Sequence, residues 1–319
     1  MSVCPENVQK IAIFRTLSGR WVILHHKVDD DFRITKLYGI TQDPETENYV
    51  MVLKYANDGS LRKYLDTKYY ELNWKSIFRH LDDIISGLNF IHEKELIHRD
   101  LHIGNILKHE NNVAITDMGL RKPANCNLSK NNIYGILLYI APEILRGKNY
   151  TKAADIYSFG IIMYEIISGL PPYYDTNHNE NLVIKICQGL RPRFNINVPQ
   201  LIVQLIKRCL DANQLNRPAT KEIINILRKW QYKESDSETA ELQKQIKETE
   251  KINNNSRVQI MSSTSLGISY KPHSGAIYTS RLLSFNNLPE SKNSDDYYEK
   301  NDNIISKEFS DLYNLGFLN

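Results

Sequence analysis

The sequence predicts an α+β fold, with a small β-rich first part and a larger, mainly helical second part. Three observations predict it. Short apolar runs separated by turn residues occupy residues 11–53. Residues 74–91 carry apolar side chains at i, i+3, i+4 and i+7. Residues 155–168 are apolar nearly all round, as in a helix buried at the centre of a domain. A chain of 319 residues is long enough for one large or two small domains. Its 41% hydrophobic and 24% charged content is that of an ordinary globular protein.

The formal net charge of +3 singles out no partner class, and no basic block supports nucleic-acid binding. The four cysteines, Cys4, Cys126, Cys187 and Cys209, lie far apart with no CxxC pair. That argues against a zinc site or a disulfide framework and fits a reducing compartment. The start, Met1-Ser2-Val3-Cys4-Pro5-Glu6, has neither the basic nor the apolar region of a signal peptide. No apolar run approaches the ~18–20 residues of a membrane helix. The expectation is a soluble, cytoplasmic protein with no membrane partner.

Taken in order, Ile11 to Phe14 and Trp21 to Leu24 read as two strands joined by Leu17-Ser18-Gly19-Arg20. Ile34 to Thr41 and Tyr49 to Leu53 read as two more, with Asp43-Pro44-Glu45-Thr46 as the turn. Asn57-Asp58-Gly59 breaks the chain direction, and Ser60 can cap the next helix. Trp74, Ile77, Phe78, Leu81, Ile84, Ile85, Leu88 and Ile91 form one helical stripe, with Asn73 as its N-cap. Gly169 and Pro171-Pro172 end the apolar helix at 155–168. Three further helical patterns fall near 180–188, 199–210 and 219–230.

Residues 98–117 carry the chemistry. They read His98-Arg99-Asp100-Leu101-His102-Ile103-Gly104-Asn105-Ile106-Leu107, a polar turn, then Val113-Ala114-Ile115-Thr116-Asp117. Ile106-Leu107 and Val113 to Ile115 are two short strands around His109-Glu110-Asn111-Asn112. A hairpin there returns Asp117 beside Asn105. Two neighbouring oxygen ligands suit Mg²⁺, which takes few protein ligands and keeps phosphates in its shell. Asp100, one loop away, is free to orient or deprotonate a hydroxyl.

This stretch resembles the catalytic loop of eukaryotic protein kinases, and Asp117-Met118-Gly119 resembles their metal-binding Asp-Phe-Gly. Ala141-Pro142-Glu143, Asp155 and Asn216-Arg217-Pro218 follow in family order. The wording of Asp155-Ile156-Tyr157-Ser158-Phe159-Gly160 is similar to a large fungal group of tyrosine-kinase-like proteins. The resemblance implies a protein-kinase-like fold: a truncated small β N-lobe and hinge over 1–56, a helical C-lobe over 57–232, and a disordered polar tail over 233–319. Within that tail, Glu238 to Lys251 can form a short solvated helix.

The resemblance also implies roles. ATP and Mg are the cofactors and a protein is the substrate or partner. Asp100 is the base, with Arg99 and His102 in its loop; Asn105 and Asp117 hold the metal. Leu53 is the gatekeeper, and Lys54, Tyr55 and Ala56 form the hinge that binds adenine. Asp155 anchors the catalytic-loop backbone, and Glu143 pairs with Arg217. Residues 117–143 are the activation segment, with Ser129, Tyr134 and Tyr139 as phosphorylation candidates and Arg99 as a cation for such a phosphate.

The first lobe departs from the family pattern. It has no GxGxxG. Val22-Ile23-Leu24-His25 resembles the strand that ends in the nucleotide-binding lysine, with His25 in the lysine's place and Lys27 as a substitute. Six residues between Lys27 and Ile34 cannot hold a helix of average length, ~11 residues, so the helix Glu that pairs with the lysine looks absent. His102 and Ile136 differ from the Ser/Thr-kinase residues at those places, and the tyrosine-specific Ala-Ala-Arg insert is missing. The group resemblance favours Ser/Thr. Alternative readings are a pseudokinase scaffold and a chain abbreviated at its N-terminus.

Overall fold

The structure, a computed structural model, describes residues 11–16, 25–28, 31–47, 49–117, 132–233, 235–261 and 270–293. A three-stranded antiparallel sheet comes first: β1 (Ile11–Thr16), β2 (Leu37–Gln42) and β3 (Tyr49–Lys54), in the order β1-β3-β2. β1 runs against β3 from Ile11 opposite Lys54 to Thr16 opposite Tyr49. The predicted turn between β2 and β3 is held by Asp43, whose carboxylate accepts Glu45 N–H at 3.0 Å and the Thr46 hydroxyl at 2.8 Å. This is the local side-chain bonding that makes Asp a turn residue. The expected strand Trp21 to Leu24 lies outside the described residues.

The helical part begins with α1 (Leu61–Lys68), capped by Ser60, which accepts Lys63 N–H. α2 (Trp74–Glu93) follows with a full capping box: Asn73 accepts Ser76 N–H, and the Ser76 hydroxyl accepts Asn73 N–H. Leu81, Ile84, Ile85 and Leu88 of its stripe are completely buried. Each such side chain contributes about 1.5–3 kcal/mol of burial. The hairpin β4 (Ile106–Lys108) and β5 (Val113–Ile115) pairs Ile106 with Ile115, as the turn chemistry predicts.

Beyond it come β6 (Asn132–Gly135), the short α3 (Pro142–Leu145) and the central α4 (Lys152–Ser168). From Ala154 to Ser168 every residue of α4 is buried. Gly160 is there for room: a Cβ on it would fall 2.8 Å from Cys209 Cβ. Gly169 ends the helix at φ +73°, where it carries no Cβ penalty. α5 (Glu180–Cys187), α6 (Gln200–Cys209) and α7 (Thr220–Tyr232) complete the lobe, with α7 packed on α2.

Among the described residues, the tail departs from the expectation of disorder. Residues 237–261 form α8 (Ser237–Met261), longer than foreseen and not solvated all round, since Leu242 and Ile246 are buried. Residues 270–293 lie along the helical lobe and include β7 (Arg281–Ser284), which pairs with β6. Polar composition concealed this because docking rests on a few side chains, chiefly buried Leu283 with Tyr278, Phe285 and Leu288 beside it. No helix of the described residues is long and apolar enough to cross a membrane.

Candidate active site

The site is built from a helix end, one loop and one hairpin. α2 delivers the chain to His98-Arg99-Asp100, and α4 holds that loop from beneath. The Asp155 carboxylate, 1% exposed, accepts the backbone N–H of His98 at 2.8 Å and of Arg99 at 2.9 Å. His92 Nε2 lies 2.9 Å from the same carboxylate. Three partners offset the cost of burying the carboxylate. They also hold Arg99 in a left-handed backbone, φ +69°, that a non-glycine residue rarely adopts unforced.

His98 joins the loop to the hairpin. Its Nδ1 accepts Asp100 N–H at 3.3 Å, and its Nε2 donates to the Thr116 carbonyl at 3.1 Å. Complete burial lowers its pKa below the ordinary imidazole value, which keeps this neutral tautomer. Asn105 makes the second link. Its Nδ2 donates to the Asp100 carbonyl at 2.9 Å, and its own carbonyl accepts Thr116 N–H at 2.9 Å. Asp117 comes next in the chain, again left-handed, at φ +53°.

The donor chemistry fits Mg²⁺. The Asn105 amide nitrogen is committed to Asp100, so its side-chain oxygen is the atom left to bind a cation. With the Asp117 carboxylate it makes a set of hard oxygen donors. His102 Nδ1 accepts Gly104 N–H at 3.1 Å, which puts the proton on Nε2, 3.8 Å from Asp100 Oδ1. β6 closes the other side: a Cβ on Gly135 would lie 3.4 Å from Asp100 Oδ1. Asp100 thus lies between His102 and the end of β6.

The remaining predicted residues fall in three places. Leu53 is buried in β3; Lys54 and Tyr55 are exposed, and Ala56 accepts Gly59 N–H at 3.1 Å. Glu143 and Arg217 form a buried two-bond pair at 2.7 and 2.8 Å. Arg99 is exposed, with its guanidinium 6.0 Å over the Tyr150 ring. Ser129 and Met118-Gly119 lie outside the described residues. Tyr134 is half-buried on β6.

Two placements overturn expectations. His25 does not end a strand. It sits in a helical turn with a fully buried ring, Nε2 2.6 Å from the Thr35 carbonyl. Thr35 N–H in turn bonds Ile115, so the turn is tied to β5, and exposed Lys27 follows it. Tyr139 is no loop hydroxyl. It is 5% exposed and donates to the buried Glu165 carboxylate, which also pairs with Arg62 at 2.6 Å. Burial pushes its phenol well above the usual range.

Sequence reasoning gave no role to His92 or His98, and it read Ile11 to Phe14 as a strand without placing it beside the hinge strand. The hinge strand β3 lies between β1 (Ile11–Thr16) and β2. The apolar run Ile11 to Phe14 was the available signal.

Residues 22–227, more than half of the chain, match the profile of the protein tyrosine and serine/threonine kinase family. The chain belongs to this kinase family. It is 31% identical over 185 residues to the serine/threonine/tyrosine-protein kinase HT1 of Arabidopsis thaliana, covering 57% of this chain and 47% of that one. It is 30% identical over 211 residues to ankyrin repeat-containing protein kinase A of Dictyostelium discoideum, covering 61% of this chain and 14% of that one. The kinase chain therefore spans less than half the length of these curated relatives.

Proposed function

We propose that this kinase domain transfers the γ-phosphoryl group of Mg·ATP to hydroxyls of a protein, with serine or threonine favoured. The observation that supports it most is the Asp100–Asn105–Thr116 linkage, which ties the candidate base to the candidate metal ligands through two 2.9 Å hydrogen bonds. Phosphoryl transfer passes through a loose transition state and asks mainly for positioning and charge stabilisation. Asp100 orients the acceptor hydroxyl and takes its proton. His102 Nε2–H faces that carboxylate and steadies it. Asn105 and Asp117 hold Mg²⁺, which supplies charge neutralisation on the phosphates. The end of β3 with Lys54-Tyr55-Ala56 receives the adenine.

A second reading, a pseudokinase scaffold, is favoured by one specific observation. His25, which the resemblance puts in the lysine's place, is fully buried against the Thr35 carbonyl, and the sequence has no GxGxxG. The test is thermal unfolding with and without Mg·ATP, followed by phosphotransfer to a mixed protein substrate. Saturation at a hundredfold excess over Kd stabilises by about 2.7 kcal/mol. A magnesium-dependent shift that is lost in Asp117→Ala, with transfer, supports the kinase. No shift in a cooperatively folded chain supports the scaffold.

A further inference from the structure

The strand edge next to Asp100 is already taken, by the chain's own tail. β7 pairs antiparallel with β6, Ser284 opposite Asn132 and Arg281 opposite Gly135. Gly135 is the residue whose Cβ position falls 3.4 Å from Asp100 Oδ1. A polypeptide that delivers a hydroxyl to Asp100 has to pass this point.

The tail is seated by more than the strand. Leu283 is 4% exposed and belongs to the main core. Arg281 Nη2 donates to the His178 carbonyl at 2.8 Å. His178 N–H bonds Gly275 at 3.1 Å, and its Nδ1 accepts Ile277 N–H at 2.8 Å. His273 N–H reaches Tyr174 at 2.8 Å, and Lys292 N–H reaches Cys187 at 2.9 Å. Gly275 packs so tightly that a Cβ would fall 2.6 Å from Asn177 Cγ. Alternation along β7 puts Arg281 and Leu283 on one face, and these are the two side chains that find partners on the lobe.

We propose that residues 270–293 are an intramolecular strap whose strand β7 occupies the acceptor-peptide edge of β6. We infer from its two anchors that the edge takes an extended segment bearing a cation and, two residues on, an aliphatic side chain. That this edge receives the acceptor rests on the phosphotransfer reading. Recognition itself is β-strand addition: backbone hydrogen bonds hold the segment, and alternate side chains give its specificity. A tethered strand competes at a high effective concentration, so a free peptide binds the parent chain poorly.

The test uses the full chain and two variants, Leu283→Glu and Gly275→Val, each checked for cooperative unfolding. Hydrogen exchange at residues 132–135 reports whether β7 has left. Fluorescence anisotropy reports binding of a labelled peptide with the sequence of residues 277–290. Release of the strap is expected to speed exchange at β6 and to tighten peptide binding about tenfold or more. A peptide carrying Glu at the places of Arg281 and Leu283 is expected not to bind. Should Leu283→Glu unfold, Gly275→Val carries the comparison. Unchanged peptide affinity in a folded variant whose β6 exchange has risen overturns the proposal. So does unchanged β6 exchange in both folded variants. The Mg·ATP shift of the same samples is read separately, and its absence counts against the phosphotransfer reading and leaves the strap result standing.

Discussion

Asp155 holds Arg99 by a 2.9 Å hydrogen bond from the Arg99 backbone to the Asp155 Oδ1 atom. A carboxylate in the first turn of the central helix thereby sets the backbone of the loop that carries Asp100. The same carboxylate holds His98 N–H. Asp155→Ala leaves two backbone donors of the loop without this acceptor. Each unsatisfied buried group costs about 1–3 kcal/mol. The expected loss is roughly 3 kcal/mol of unfolding free energy, read from urea denaturation. A loss under about 0.5 kcal/mol, the range of neutral surface changes, would contradict this role.

The Glu143–Arg217 pair gives a second prediction. Both side chains are buried, and Arg217 also donates to the Asp211 and Ala153 carbonyls. Arg217→Ala strands the Glu143 charge, at about 3–5 kcal/mol. Replacing both partners with apolar residues, Glu143→Leu with Arg217→Met, removes the stranded charge. The double variant is expected to be more stable than Arg217→Ala alone, since an apolar isostere of a buried pair is often neutral. Urea denaturation of the three chains checks the order.

Asp100 and Asp117 are expected to separate binding from transfer. Asp100→Asn keeps the shape and the backbone carbonyl that Asn105 holds. It is expected to abolish phosphotransfer while leaving the Mg·ATP-dependent rise in Tm intact. Asp117→Ala is expected to remove both. If Asp100→Asn transfers as well as the parent, Asp100 is not the base.

His80 predicts an acid instability. Its ring is buried on α2, and neither ring nitrogen has a hydrogen-bond partner among the described residues. Burial lowers its pKa to about 3, and the charges of Lys108 and Arg79 act in the same direction. The unfolded chain, with an ordinary histidine pKa near 6.5, binds the proton first as pH falls. Stability is therefore full above pH ~6.5 and is lost as pH falls from there toward ~3, by roughly 1.4 kcal/mol per pH unit from this group. His80→Leu should flatten that slope. Urea denaturation at pH 7 and pH 5 reads it, and an unchanged difference between the two pH values would refute the assignment.

Much of the site was legible before folding because its spacing is local. The Ile106–Leu107 and Val113–Ile115 runs with a polar turn between them can hardly do other than return Asp117 to Asn105. Asn73, Ser60 and Gly169 announce helix ends because they satisfy or terminate the backbone groups around them. The misreading of His25 has a different origin. The run Val22 to His25 has strand-like composition, yet the turn at His25 is bound from outside, by the Thr35 carbonyl.

The sequence by itself determined the periodic helices, the order of the kinase motifs, the cluster of Asp100, Asn105 and Asp117, and the pairing of Glu143 with Arg217. These follow from side chains repeating along one element, or from motifs whose order the family shares. Only the tertiary structure decided that Tyr139 is buried on Glu165, that β1 pairs with the hinge strand β3, and that the polar tail returns to pair β7 with β6. Each of those depends on a partner distant in sequence. Burial of Tyr139 needs Glu165 from α4, and β7 finds its hydrogen bonds only on a strand that precedes the helices of the second half. Local propensity carries no record of such partners, because the backbone groups they satisfy are set by the fold around them.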